Sequence, residues 1–170
     1  MSRELDAQVA EKPVTVQDIH DRLRCLGGWG SIYIPEYTHG SLRVDALILD
    51  TRTRWARGFE VKVSRSDFLA DEKWKLYTQF CSSLSIACPS GLIQREEVGD
   101  PFGLLWIGRE RFGTTATWVK KPKRFQKRDG MAWLWTYVHI IEHELPRLEL
   151  ENQRLSALQS ISPTPSRSKT

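Results

Sequence analysis

Between Ser31 and Val63 the chain reads as three strands in quick succession, and no other feature restricts its fold so strongly. Ser31–Tyr37 (SIYIPEY) is β-branched and aromatic, and Thr38–Ser41 is a turn. Arg43–Leu49 (RVDALIL) is almost continuously apolar, and residues 50–54 form a second polar turn. Phe59–Val63 (FEVKV) alternates with period two. Links this short join antiparallel neighbours, so the segment predicts a meander. A helix precedes it, N-capped by Thr15, with Val16, Ile19, Leu23 and Leu26 on its apolar face and GGWG at 27–30 as its stop. A second helix follows. Ser64 with Asp67 three residues on gives a capping-box-like start. Phe68, Leu69, Leu76, Tyr77, Phe80 and Leu84 predict one apolar face through about residue 82.

Leu84–Cys88 reads as a short buried strand ended by Pro89-Ser90-Gly91, and Phe102–Ile107 with Thr114–Val119 as a hairpin around Gly108–Gly113. Residues 120–128 form a basic loop, and from Met131 to about Ile161 the pattern is helical, interrupted at Pro146. The order is helix, three strands, helix, strand, then extra strands and a long C-terminal helix, which makes a mixed α/β fold. The expected organisation is a tail at 1–13, an α/β domain at 14–128, a helical extension at 129–161 and a second tail at 162–170.

A chain of 170 residues holds a hydrophobic core without disulfides or a structural metal. Its three cysteines, Cys25, Cys81 and Cys88, form no CxxC pair, which argues against a disulfide framework and for a reducing compartment. The first residues are charged and lack the apolar core of a secretory signal, and no apolar run is long enough for a membrane span. The expectation is a cytoplasmic protein with no membrane partner. The formal net charge of +4 permits an anionic partner without requiring one.

Asp45 interrupts an otherwise apolar strand, where a carboxylate is costly unless paired or bound to metal. An edge strand with a wet face, or a pair with Arg43, would also account for it. Glu60 and Lys62 lie two apart on a strand and share a face, which by itself reads as a solvated polar face. Together, Asp45 and Glu60 supply hard oxygen ligands suited to Mg²⁺, the Val61 carbonyl a third, and Lys62 a cation for a phosphate.

VDALILD, a short turn, then GFEVKVSRSDFLADEKWKLYTQFCSSLSIACP resembles the core of the PD-(D/E)XK nuclease superfamily. More narrowly, the chain resembles the MmcB-like DNA repair proteins, in which an ExKxS strand runs into an SDFLxDxKW helix. The resemblance covers roughly residues 30–90. It implies a restriction-endonuclease-like core and a DNA endonuclease dependent on Mg²⁺ or Mn²⁺, acting in DNA repair or processing. Asp45 and Glu60 would be its metal carboxylates and Lys62 its catalytic lysine. Val44 stands where the superfamily's name-giving Pro would be. Glu36 is a further acidic group or an exposed strand-end residue. Lys73 and Tyr77, one helical turn apart, would contact phosphate or be a surface charge and a core aromatic. Ser64 would bond near the site or simply cap its helix. A non-catalytic DNA-binding or repair scaffold retaining the fold is the alternative.

Residues 109–128 carry a net +7, with Trp118 and Phe125 interleaved. Lys120, Lys121, Lys123, Arg124, Lys127 and Arg128 form its basic cluster, suited to a phosphate backbone. Val138, Ile141, Leu145, Leu148, Asn152 and Leu155 alternate at spacings of three and four. This is either a homodimer seam, with Asn152 setting register, or a helix packed on its own domain. His139 and Glu142-His143 match HxxEH, the inverted zinc-protease motif, but so little chain follows that surface or packing histidines explain them better.

Overall fold

The computed structural model describes residues 12–50, 52, 53, 55–71, 73–111, 113–125, 138, 141 and 145–161. The tail at 1–11, Lys127, Arg128, the segment 131–137, His139, Glu142, His143 and the tail from Ser162 lie outside the described residues. The chain divides into two compact units, Met1–Lys127 and Arg128–Thr170.

The first unit is a mixed α/β structure on a six-stranded sheet whose strands lie in chain order. Helix α1 (Val16–Leu26) opens it, with the Thr15 side chain accepting from the Asp18 N–H and the Asp18 carboxylate accepting from the Thr15 N–H. Strands β1 (Ser31–His39), β2 (Leu42–Asp50) and β3 (Trp55–Val61) pair antiparallel, as the meander predicts. β3 begins four residues earlier than its alternation suggests, because Trp55, Ala56, Arg57 and Gly58 pair with Asp50–Leu47 of β2. β4 (Ser83–Pro89) and β5 (Gly103–Glu110) then add in parallel, and β6 (Gly113–Lys120) closes the sheet antiparallel.

α1 buries Ile19 and Leu23 against Ala46, Ile48, Phe59, Val61, Ala87, Leu105 and Ile107, the core on one side of the sheet. Full burial of such side chains supplies about 1.5–3 kcal/mol each. Gly58 is confined by close packing, since a Cβ there would stand 2.6 Å from Cys81 Sγ.

The continuous helix expected from Ser64 to about residue 82 is not formed. Helix α2 covers only Arg65–Ala70, Asp71 is extended, and Lys73–Gln79 is a 3-10 helix. Asp71 explains the break: its Oδ1 accepts the Lys73 N–H at 2.9 Å and its carbonyl accepts the Trp74 indole N–H at 2.9 Å. A short carboxylate that bonds the backbone ahead of it competes with the helical ladder. At three residues per turn, Trp74, Tyr77 and Phe80 point inward together and are buried. Leu69 and Leu76, assigned to the apolar face, are 68% and 49% exposed.

In the second unit, α3 spans Leu145–Ile161, and Pro146 is its second residue. Leu145 and Leu148 are half-buried, while Asn152 and Leu155 are exposed. Among the described residues, no helix is long and apolar enough to cross a membrane.

Candidate active site

The antiparallel ladder between β2 and β3 starts at the Ala46–Phe59 pair. Beyond it the strands part, and Asp45 fills the gap: its Oδ2 accepts the Val61 N–H at 2.8 Å. A carboxylate replaces a strand carbonyl as the acceptor. Extending the β2–β3 register by one residue sets Glu60 across from Asp45, while Glu36 falls in the gap between the Pro35–Ala46 and Tyr37–Val44 pairs of β1 and β2.

Glu60 and Lys62 do share a face, but it is not a wet one, for they are 5% and 3% exposed. Lys62 lies just past the end of β3, held by its N–H to the Ala87 carbonyl at 3.0 Å. Its Nζ donates to Asp71 Oδ2 at 2.6 Å and to Glu60 Oε1 at 3.3 Å, with Asp67 Oδ1 at 3.5 Å. One buried ammonium thus joins the end of β3 to both ends of α2.

Burial, reinforced by the neighbouring Asp45 charge, pushes Glu60 up to about 8 despite Lys62. Burial also raises Asp45, against the lowering effects of the Val61 N–H and Lys62. For Lys62 burial disfavours the charge, but the hydrogen bond to Asp71 and the charges of Glu60, Asp71 and Asp67 outweigh it and hold the ammonium raised. Asp71 stays low because Lys62 and the Lys73 N–H overcome its burial. Tyr77 is pushed up to about 12, first by burial and then by Glu60, Asp71 and Asp45. The cluster therefore holds a fixed ammonium beside carboxylates that favour a proton or another cation.

Among the described residues, no group of three or more His, Cys, Asp or Glu could hold a metal. The expected set is different: two carboxylates, one backbone carbonyl and water. Glu60 Oε2 is buried without a hydrogen-bond partner among the described residues, so a lone pair is left unsatisfied. That orphan and the hard oxygen donors fit a small divalent cation.

The accessory residues fare unequally. Glu36 is exposed, adopts a left-handed φ of 49° and pairs loosely with Arg43 at 3.8 Å. Ser64 Oγ accepts the Asp67 N–H at 3.2 Å and so works as the cap of α2. Lys73 and Tyr77 do not share a face, because residues four apart diverge on a 3-10 helix: Tyr77 is buried and Lys73 exposed. In the basic segment, Lys120 and Lys123 both pair with Asp100, Arg124 stacks on Trp55, and Lys121 is exposed.

Two residues escaped the sequence reading. Asp71 is the closest carboxylate to Lys62; it stands as the second Asp of the SDFLxDxKW stretch, but nothing in that stretch alone points it at Lys62. His20 on α1 bonds the Tyr33 hydroxyl through Nδ1, and it feels the charges of Asp45 and Glu36 while burial lowers its pKa. Nothing in the periodicity of α1 distinguishes it.

Neither family models nor curated proteins give a match to this chain. A solved structure of a Silicibacter pomeroyi protein of unknown function is similar, at 24% identity and a TM-score of 0.64. The match covers 85% of this chain and 94% of that one, and it supports the fold alone.

Proposed function

We propose that the protein is a metal-dependent DNA endonuclease with a PD-(D/E)XK-type core, related to the MmcB-like repair proteins. The observation that carries this reading is the parting of β2 and β3 around Asp45, with Glu60 opposite and Lys62 buried against it. Asp45, Glu60 and the Val61 carbonyl would hold Mg²⁺ or Mn²⁺. Bound there, the ion supplies positive charge to a scissile phosphate and acidifies a water.

The chain's own groups do the rest. Hydrolysis joins a water oxygen to phosphorus and releases one ester oxygen, which takes up a proton. Negative charge grows on the non-bridging oxygens as this happens. Lys62 Nζ is already oriented by Asp71 and Glu60, so its charge meets that growth without reorganising. Asp71 is a positioning residue, because it acts through Lys62. Asp45 holds the Val61 N–H and so fixes the backbone between Glu60 and Lys62.

The test uses single-stranded, duplex and branched DNA, with Mg²⁺, with Mn²⁺ and with chelator. Cleavage that requires the metal and falls at least a hundredfold in Asp45→Ala and Lys62→Ala is expected, as about 3 kcal/mol of transition-state stabilisation is at stake. Equal cutting by those variants, or none on any substrate, sinks the reading.

A further inference from the structure

A cavity of about 480 Å³ opens on the α1 side of the sheet, beyond the C-terminal end of α1 at Leu26 and Gly27. Trp55, Arg57 and Phe59 of β3, Ser83 of β4, Trp118 of β6 and Lys121 line it. Alternation along β3 sets Arg57 and Phe59 on the face opposite Glu60, so this cavity is separate from the carboxylate cluster. Its size lies within the range of small-molecule sites, roughly 300–1,000 Å³.

Three features say what it lacks. Arg57 is half-buried and feels the charge of Asp50, yet it makes no hydrogen bond or ion pair among the described residues. Asp50 also lines the cavity, but its Oδ1 is taken by the N–H groups of Arg52 and Thr53. Trp55 Nε1 is buried and has no acceptor among the described residues. A guanidinium and an indole N–H without hydrogen-bond acceptors among the described residues, in one half-enclosed space, call for an anionic or acceptor-rich ligand. Lys121 adds a second cation, and Arg124, stacked 5.3 Å from the Trp55 ring centroid, a third nearby. The remaining wall is aromatic: Trp118 is half-buried, with its ring 6.2 Å from that of Phe59. An aromatic wall beside paired cations suits a base carrying a phosphate, since every base has a face to stack.

We propose that this cavity binds a nucleoside phosphate, with its base against Trp118 and its phosphate held by Arg57 and Lys121. Two sources share this chemistry, a free mononucleotide and the phosphorylated end of a DNA strand. The site needs no metal and does not rest on the nuclease reading.

The test is equilibrium dialysis on the full chain in chelator, which silences the carboxylate cluster. The probes are deoxyadenosine monophosphate, deoxyadenosine, inorganic phosphate, and a short single-stranded oligonucleotide with and without its 5′-phosphate. The monophosphate should bind at least about tenfold more tightly than deoxyadenosine or phosphate, and quench tryptophan fluorescence. Arg57→Gln and the exposed Lys121→Gln should each weaken it about tenfold with unchanged circular dichroism. Tighter binding of the phosphorylated oligonucleotide, with the same dependence on Arg57, assigns the pocket to a strand end. Binding of the mononucleotide alone assigns it to a free ligand. Binding unchanged in Lys121→Gln, deoxyadenosine or phosphate as tight as the monophosphate, or no binding up to about 10 mM, overturns the proposal.

Discussion

Lys62 concentrates the chemistry and the structural risk of this protein in one side chain. It is buried, and it is the cation facing Glu60, Asp67 and Asp71. Removing one partner from a buried ionic cluster leaves the others uncompensated. Lys62→Met should therefore cost about 3 kcal/mol in urea unfolding. Glu60→Gln should cost far less, because burial already favours the neutral form of that acid. If Lys62→Met unfolds like the parent protein, the ammonium is not structurally coupled to the carboxylates. The sequence singled out Glu60 and Lys62 through their combination with Asp45 and the resemblance, since two-residue spacing by itself reads as a solvated face. It left open whether they face water, since alternation specifies a shared face and not what covers it. The second partner, Asp71, was illegible because it meets Lys62 only when α2 folds back over the end of β3.

At the scale of elements, the segment from Ser64 to Phe80 is where local reading and structure diverge. Apolar residues at three- and four-residue spacing predict one long helix. The fold instead inserts Asp71 between two short helices and uses the period of three in Trp74, Tyr77 and Phe80. Helices this short have little stability of their own. α2 is tied down by Arg65, whose guanidinium bonds both oxygens of Glu97 at 2.6 Å, across to the loop before β5. The Arg65 hydrogen bonds, with the Gln94 N–H, lower Glu97 from 4.5 to about 2. A depressed folded pKa contributes stability above pH 4.5 that is lost as pH falls through about 2. Arg65→Gln should flatten the fall in thermal midpoint across that window. An unaltered acid profile would show that the exposed link contributes nothing.

For the whole molecule, charge arrangement matters more than total charge. The segment 109–128 carries +7, leaving −3 elsewhere, but the fold spends part of that excess internally. Asp100 engages Lys120 at 2.9 Å and also Lys123, and Asp18 engages Arg109. The free basic surface is thus smaller than the sequence suggests. On the proposed reading, Asp100→Asn should leave two lysine charges uncompensated, Lys120 still donating to the Val98 carbonyl, and tighten duplex DNA binding. The slope of log affinity against log salt should steepen by about one to two. An unchanged slope would place the DNA contact elsewhere.

The sequence by itself determined the capped α1, the meander of β1 to β3, the hairpin of β5 and β6, and Asp45, Glu60 and Lys62 as the residues to watch. Each follows from local period, capping or short-range spacing, which need no distant partner. Only the tertiary structure decided that β4 and β5 add in parallel, that Asp71 closes on Lys62, and that Glu60 loses its water. It also decided that Arg57 and Asp50 line one cavity without bonding each other. Those outcomes depend on what covers each face and on pairings between residues far apart in the chain, and neither is encoded in the period of any one segment.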